Sequence, residues 1–222
     1  LITWGRTARE SYTLHVDLVT TAEQIADARA RRGATVTVPD TAAALAWDRL
    51  AEIAPVLRGQ LAAPTGDADR PWDRVILQPI LTERVLALLA RDGAKDALVT
   101  PPLTTDHLIR TRSLPLWVGD PAWGDDAALR SQLGGAIEAY RQSYRAYVDR
   151  HRAEMPGGLS AFDASPRVVL IPGLGAVCAG RNAREAAIAR DITARTLEAK
   201  GRIASMGAYA GLGERELFLM EY

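Results

Sequence analysis

Short, continuous apolar runs alternate along this chain with long segments of helical period, and that alternation limits the fold more than any other feature. Strand candidates are Leu1-Ile2-Thr3-Trp4, Arg74-Val75-Ile76-Leu77-Gln78, residues 97–100, Leu114-Pro115-Leu116-Trp117-Val118, Val168-Val169-Leu170-Ile171 and Ala176-Val177-Cys178-Ala179. The apolar spacing predicts helices over about 8–31, 42–54, 82–90, 126–153 and 182–200, one turn over 106–110, and two short helical segments at the end. Breakers mark the joints: Gly33 after the first helix, Pro55 ending the second, Asp92-Gly93 after the third and Pro101-Pro102 after residues 97–100. Pro115 assigns its strand to a sheet edge. Strands separated by helices imply a layered α/β/α architecture. The chain's 222 residues are enough to bury roughly 70% of the unfolded surface, so the core needs no covalent staples.

Charge and composition narrow the function. Lys+Arg and Asp+Glu are both 27, so the formal net charge is zero and gives no attraction to nucleic acid or an anionic membrane surface. A single cysteine, Cys178, excludes an intrachain disulfide and a Cys-rich zinc module. No apolar run reaches the ~20 residues of a membrane span, and no signal peptide is evident, so a cytoplasmic protein is expected. The chain opens on Leu1 within an apolar segment and closes on the half-apolar Glu216-Leu217-Phe218-Leu219-Met220-Glu221-Tyr222, which leads us to expect a piece of a longer polypeptide.

Two hexapeptides resemble each other. Gly5-Arg6-Thr7-Ala8-Arg9-Glu10 returns as Gly180-Arg181-Asn182-Ala183-Arg184-Glu185, each after a short apolar run and each opening a long amphipathic segment. Thr21 and Glu23 match Thr196 and Glu198 in the same register. Glycine permits a sharp exit from the strand, and Thr7 or Asn182 supplies the N-cap with a glutamate three residues on.

Few side chains form a chemical constellation. Asp106-His107 with Arg110 and Arg112 is the best placed: Asp106 can orient the imidazole, and the two guanidiniums can receive a phosphate. The same residues also read as a capping Asp with a His and two Arg holding a loop. His15 and His151 fall on helices without a partner at i+4 and read as surface or boundary residues. Gly173-Leu174-Gly175 follows a strand but opens no helix, so a nucleotide fingerprint is disfavoured. Cys178 reads as a buried small residue, and Tyr140, Tyr144 and Tyr147 as a packing stripe. Arg29-Ala30-Arg31-Arg32 reads as a helix end complementing the dipole.

Several stretches resemble one family. Residues 1–12 resemble the end of a class II aldolase/adducin domain. Asp106-His107-Leu108-Ile109-Arg110-Thr111-Arg112, Leu114-Pro115-Leu116, Pro166-Arg167-Val168-Val169-Leu170-Ile171-Pro172-Gly173-Leu174-Gly175 and Leu217-Phe218-Leu219-Met220-Glu221-Tyr222 resemble the region that follows that domain in bifunctional rhamnulose-1-phosphate aldolases fused to a short-chain dehydrogenase. The resemblance implies a sugar-phosphate substrate, a zinc held by three histidines with a nearby glutamate, and NAD in the dehydrogenase. It also implies that the zinc ligands precede Leu1 and that the dehydrogenase glycine loop and Tyr/Lys pair follow Tyr222. Residues 1–60 would then be the end of the aldolase domain and 61–222 a connecting aldolase-like domain, inactive alone, without catalytic, metal or cofactor-binding residues of its own, in a homo-oligomer. A non-catalytic scaffold or oligomerisation module is the competing reading. Aligning Gly5 with Gly180 puts Leu174 where the family's zinc histidine would fall, which implies a degenerate half without its metal.

Overall fold

The computed structural model describes residues 2–30 and 37–222. Its centre is a four-stranded mixed sheet in the order β3-β6-β5-β4, made by β3 (Ile76–Ile80), β4 (Leu116–Trp117), β5 (Val168–Ile171) and β6 (Gly175–Gly180). β6 pairs antiparallel with β3 and with β5, whereas β4 runs parallel to β5 at the edge, where Pro115 is tolerated at the strand entrance. A separate two-stranded ribbon, β1 (Ala63–Pro64) with β2 (Trp72–Asp73), closes the polar loop that follows α2 (Ala42–Leu61).

The period-two rule explains how the sheet buries both faces. Val169, Ile171, Val177 and Ala179 point to one side and pack with Ile53 and Leu57 of α2 and Leu129, Leu133 and Ile137 of α6 (Asp126–His151). Val168, Leu170, Ala176 and Cys178 point to the other and meet Val85, Leu88 and Leu89 of α3 (Glu83–Leu89), Leu98 of α4 (Ala94–Leu98), and Ala189 and Leu197 of α7 (Ala183–Ala204). A third cluster joins Tyr144, Tyr147 and Val148 of α6 to Phe218 of α8 (Glu214–Glu221). Among the described residues the fold is thus a mixed α/β domain with eight α-helices, counting α1 (Ala8–Ala30) and α5 (Leu108–Thr111).

Four expectations need correction. Residues 2–5 form no strand; Ile2 and Trp4 lie in solvent with no sheet edge beside them. Pro55 does not end α2: the helix passes through it, because its ring faces solvent while Leu50, Ile53, Leu57 and Leu61 carry the buried stripe across the break. That packing outweighs the roughly 3 kcal/mol a helical proline costs. Residues 97–100 are not a strand; Ala97 and Leu98 belong to α4, which buries Leu98 beside α7. Only one helix, α8, closes the chain rather than two. Gly33 and Arg31-Arg32, read as the stop and the basic end of the first helix, lie outside the described residues.

Both repeat copies fold alike at the start of their helices. The Glu10 amide donates to Thr7 Oγ1 at 3.1 Å, and the Glu185 amide to Asn182 Oδ1 at 2.9 Å. The Glu10 carboxylate accepts from the Arg6 amide at 2.8 Å, and that of Glu185 from the Arg181 amide at 3.2 Å. The capping box therefore closes one residue further back than the N-cap itself. A Cβ on Gly180 would lie 2.2 Å from the Ala186 nitrogen, and one on Gly5 would lie 2.8 Å from the Ser11 nitrogen, so close approach of the chain to the helix's first turn requires glycine in both copies.

Candidate functional site

The turn that carries Asp106 to Arg112 is a 3-10 segment, Thr105–His107, continued by α5. The structure separates the four residues singled out there. Asp106 faces solvent, and no hydrogen bond joins it to His107 among the described residues. His107 is half-buried, and its Nδ1 is buried without a partner. Arg110 and Arg112 instead turn into a cleft of about 490 Å³ between the β1–β2 ribbon, α5, the end of β6 and the loop before β5. Six arginines line it: Arg70, Arg74, Arg110, Arg112, Arg167 and Arg181. Three carboxylates, Asp73, Asp163 and Glu185, accompany them, and Ile109 and Phe162 form an apolar shoulder.

Arg112 is the unusual member. Its side chain is 2% exposed, and its backbone sits at φ 68°, ψ 172°. That region is open essentially to glycine alone and costs a bulky residue about 1–3 kcal/mol. The surrounding packing holds it there. Nη2 donates to the Asp163 carbonyl at 2.9 Å, Nη1 lies 3.6 Å from Glu221 Oε1, and the guanidinium stands over the rings of Tyr144 and Phe162. Nε has no partner. Glu221 in turn accepts from Tyr144 at 2.7 Å and Tyr147 at 3.2 Å, and burial pushes its carboxyl above the usual range despite these bonds. Burial, then the positive charge of Arg112, lowers Arg167 below an ordinary guanidinium, against the opposing charges of Asp163, at 3.7 Å, and Glu185. The sequence signalled Arg110 and Arg112, but not Arg74, Arg167 or Arg181, which reach the cleft from other elements.

A smaller cavity of about 30 Å³ lies behind Arg112. Thr193, Thr196 and Lys200 of α7 line it. Lys200 donates to the Thr100 carbonyl at 2.7 Å and has no carboxylate beside it among the described residues; burial pushes its amine down to about 8. Thr193 Oγ1 and Thr196 Oγ1 are buried and unpartnered, like Arg112 Nε. The space is of the order needed for one water.

Neither a zinc nor a nicotinamide nucleotide fits the described residues. Among the described residues no group of three or more His, Cys, Asp or Glu side chains is arranged to hold a metal ion, and His15, His107 and His151 lie on different elements. Leu174, at the position aligned with the family's histidine, is fully buried in the core. Gly173-Leu174-Gly175 is the tight connection between β5 and β6, and no helix N-terminus opens onto it to receive a pyrophosphate. Cys178 is buried, its thiol pushed up to about 12 by that burial, and Tyr144 and Tyr147 pack in the α6–α8 cluster. His151 bridges Glu154 and Glu214 at 3.2 and 3.0 Å, a structural role. No helix among the described residues is long and apolar enough to cross a membrane.

The described residues thus form a mixed sheet covered on both faces, with an arginine-lined cleft beside it. The chain belongs to the family described as the second domain of class II aldolases, whose model matches residues 48–222. It is also 26% identical over 231 aligned positions to a Bacillus subtilis (strain 168) protein named uncharacterized oxidoreductase YuxG. That match covers 100% of this chain but 31% of the relative, so the chain spans about a third of the protein it resembles. No solved structure matches it significantly.

Proposed function

We propose that this chain is the connecting domain of a bifunctional, rhamnulose-1-phosphate-type class II aldolase/short-chain dehydrogenase and is inactive by itself. The observation that carries the reading is the combination of an aldolase second-domain match with similarity, over all of this chain and 31% of the relative, to a protein named an uncharacterized oxidoreductase. In such a parent, zinc and the retro-aldol machinery precede this chain, the nicotinamide-binding half follows it, and the whole is a cytoplasmic homo-oligomer. Leu174 in place of a metal-binding histidine supports a domain that arose by duplication and lost its metal. The resemblance divides the chain into the end of an aldolase domain, 1–60, and a connecting domain, 61–222. The place of α2 in the shared core and a family match starting at residue 48 favour drawing the junction before α2.

The test is the full-length parent polypeptide. It should contain zinc, cleave rhamnulose 1-phosphate and turn over a nicotinamide cofactor, whereas the 222-residue chain should do none of these. Aldol cleavage by the 222-residue chain alone overturns the reading. A zinc-free parent without cleavage favours the scaffold reading, which the exposed apolar stripe of α1 also supports.

A further inference from the structure

The densest concentration of charge that the proposed role leaves unexplained is the arginine cleft. Two of its three carboxylates are already engaged, Asp73 with Arg70 and Glu185 with Arg181. Asp163 stands beside Arg167. Arg74 and Arg110, both exposed at the rim, have no carboxylate within ion-pair distance among the described residues. At the floor, Arg112 and Arg167 are largely withdrawn from water and close enough to repel each other. Like charges gathered in a confined, partly desolvated space are unfavourable until an anion joins them. Glu221 beneath Arg112 offsets one further charge, and the remaining excess of about two positive charges (six arginines against four carboxylates), with the forked geometry of guanidinium, matches a phosphoryl dianion better than a single carboxylate. The volume suits a small molecule, not a polymer. Ile109 and Phe162 offer an apolar wall to a short carbon chain.

We propose that this cleft binds a small phosphorylated ligand, with Arg74 and Arg110 gripping the phosphoryl oxygens from the rim above the Arg112–Arg167 floor. The site uses this chain's own side chains, so it stands whether or not the parent is an aldolase. Calorimetric titration of the whole 222-residue chain tests it, using inorganic phosphate, a ketose 1-phosphate and the same ketose without phosphate, all at one ionic strength. The two phosphorylated probes should saturate a single site, and the bare ketose should not bind. Arg74→Ala and Arg110→Ala should each weaken binding about tenfold. Arg130→Ala, an exposed change on α6 away from the cleft, should leave it unaltered, and circular dichroism should show all three variants folded. Equal affinity for both phosphorylated probes would mean that the phosphoryl group alone is read; tighter binding of the ketose phosphate would add contacts at Ile109 and Phe162. Binding no tighter than chloride at the same ionic strength, as expected of a surface that meets only acidic protein, overturns the proposal. So does full affinity in both rim variants.

Discussion

α1 and α7 begin with the same cap, the same close glycine and the same Arg–Glu pair, yet they live in different surroundings. Placing Gly5 on Gly180 sets Leu14, Leu18 and Ile25 at the positions of Ala189, Thr193 and Lys200. The α7 residues are 1%, 4% and 3% exposed, pressed against the sheet and α4; the α1 residues are 45%, 42% and 52% exposed. The ion pair between Asp27 and Arg202 is a point where α1 touches α7. Local sequence therefore sets where each helix starts and which face is apolar, while burial depends on whether a sheet lies beside that face. The comparison also shows that the buried copy is free to be less hydrophobic. Thr193 and Lys200 survive on the packed face because α7 already gains its contacts from Ala189 and Leu197.

The widest divergence between the copies should come from truncating that face. Leu197→Ala should destabilise the domain by about 3 kcal/mol, since it empties space between α7 and the sheet. Leu18→Ala in α1 should cost less than about 0.5 kcal/mol, because its side chain already meets water. Urea unfolding of both variants checks this, and equal losses would mean that α1 is packed. Next comes the glycine. Gly180→Ala drives a Cβ into the backbone of the α7 first turn and should cost about 2 kcal/mol, while Gly5→Ala displaces a segment with no sheet behind it and should barely move the unfolding midpoint.

Lys200 separates the copies by pH. Its ordinary amine titrates near 10.5 and burial brings it to about 8 in the fold. Below pH 8 the folded protein must hold a desolvated ammonium that the unfolded chain keeps hydrated, so stability is reduced there. As pH rises from about 8 to 10 the folded amine loses its proton first, and stability should climb by about 2 kcal/mol. Lys200→Met should abolish the climb; Ile25→Lys, on the exposed face of α1, should not add a second one. Unfolding curves at pH 7, 8, 9 and 10 decide it, and a wild-type profile as flat as that of Lys200→Met would refute the assignment.

What the sequence revealed follows the range of the interactions involved. Caps, turns and apolar stripes are written within a few residues, so Thr82 and Asn182 were legible as helix starts, the long helix was placed to within a residue at Asp125 or Asp126, and β5 and β6 were legible as buried strands. Residues 97–100 misled because four apolar-rich residues suit a strand or a helix turn equally, and only the neighbouring α7 chooses between them. Pro55 misled because its cost is local while the compensating stripe extends on both sides. Of the cleft, Arg110 and Arg112 were visible through their shared turn. Arg74, Arg167 and Arg181 join them only after β6 has brought its two neighbours together, which no local pattern records.

The finest comparison is the Arg–Glu pair at each helix start. Arg6 Nη2 reaches Glu10 at 3.2 Å with 92% of its side chain in water, and Arg181 Nη2 reaches Glu185 at 2.8 Å beside a half-buried carboxylate. Exposed pairs at i,i+4 are worth about 0.3–0.5 kcal/mol. Glu185 is also held below the usual carboxylate range, first by its bond from the Arg181 side chain, and it borders the cationic cleft. Its contribution is present above an ordinary glutamate's titration and is lost as pH falls through the lowered value. Glu185→Gln should therefore cost about 0.5 kcal/mol at pH 7, and that cost should fade as pH drops through the lowered titration of the wild-type carboxylate. Glu10→Gln should cost less at pH 7, since unfolding of α1 exposes little that was hidden. The same Glu185→Gln change removes one negative charge from the cleft, so it should tighten phosphate binding while weakening the fold, and opposite signs in those two measurements would separate its part in the helix cap from its part in the cleft.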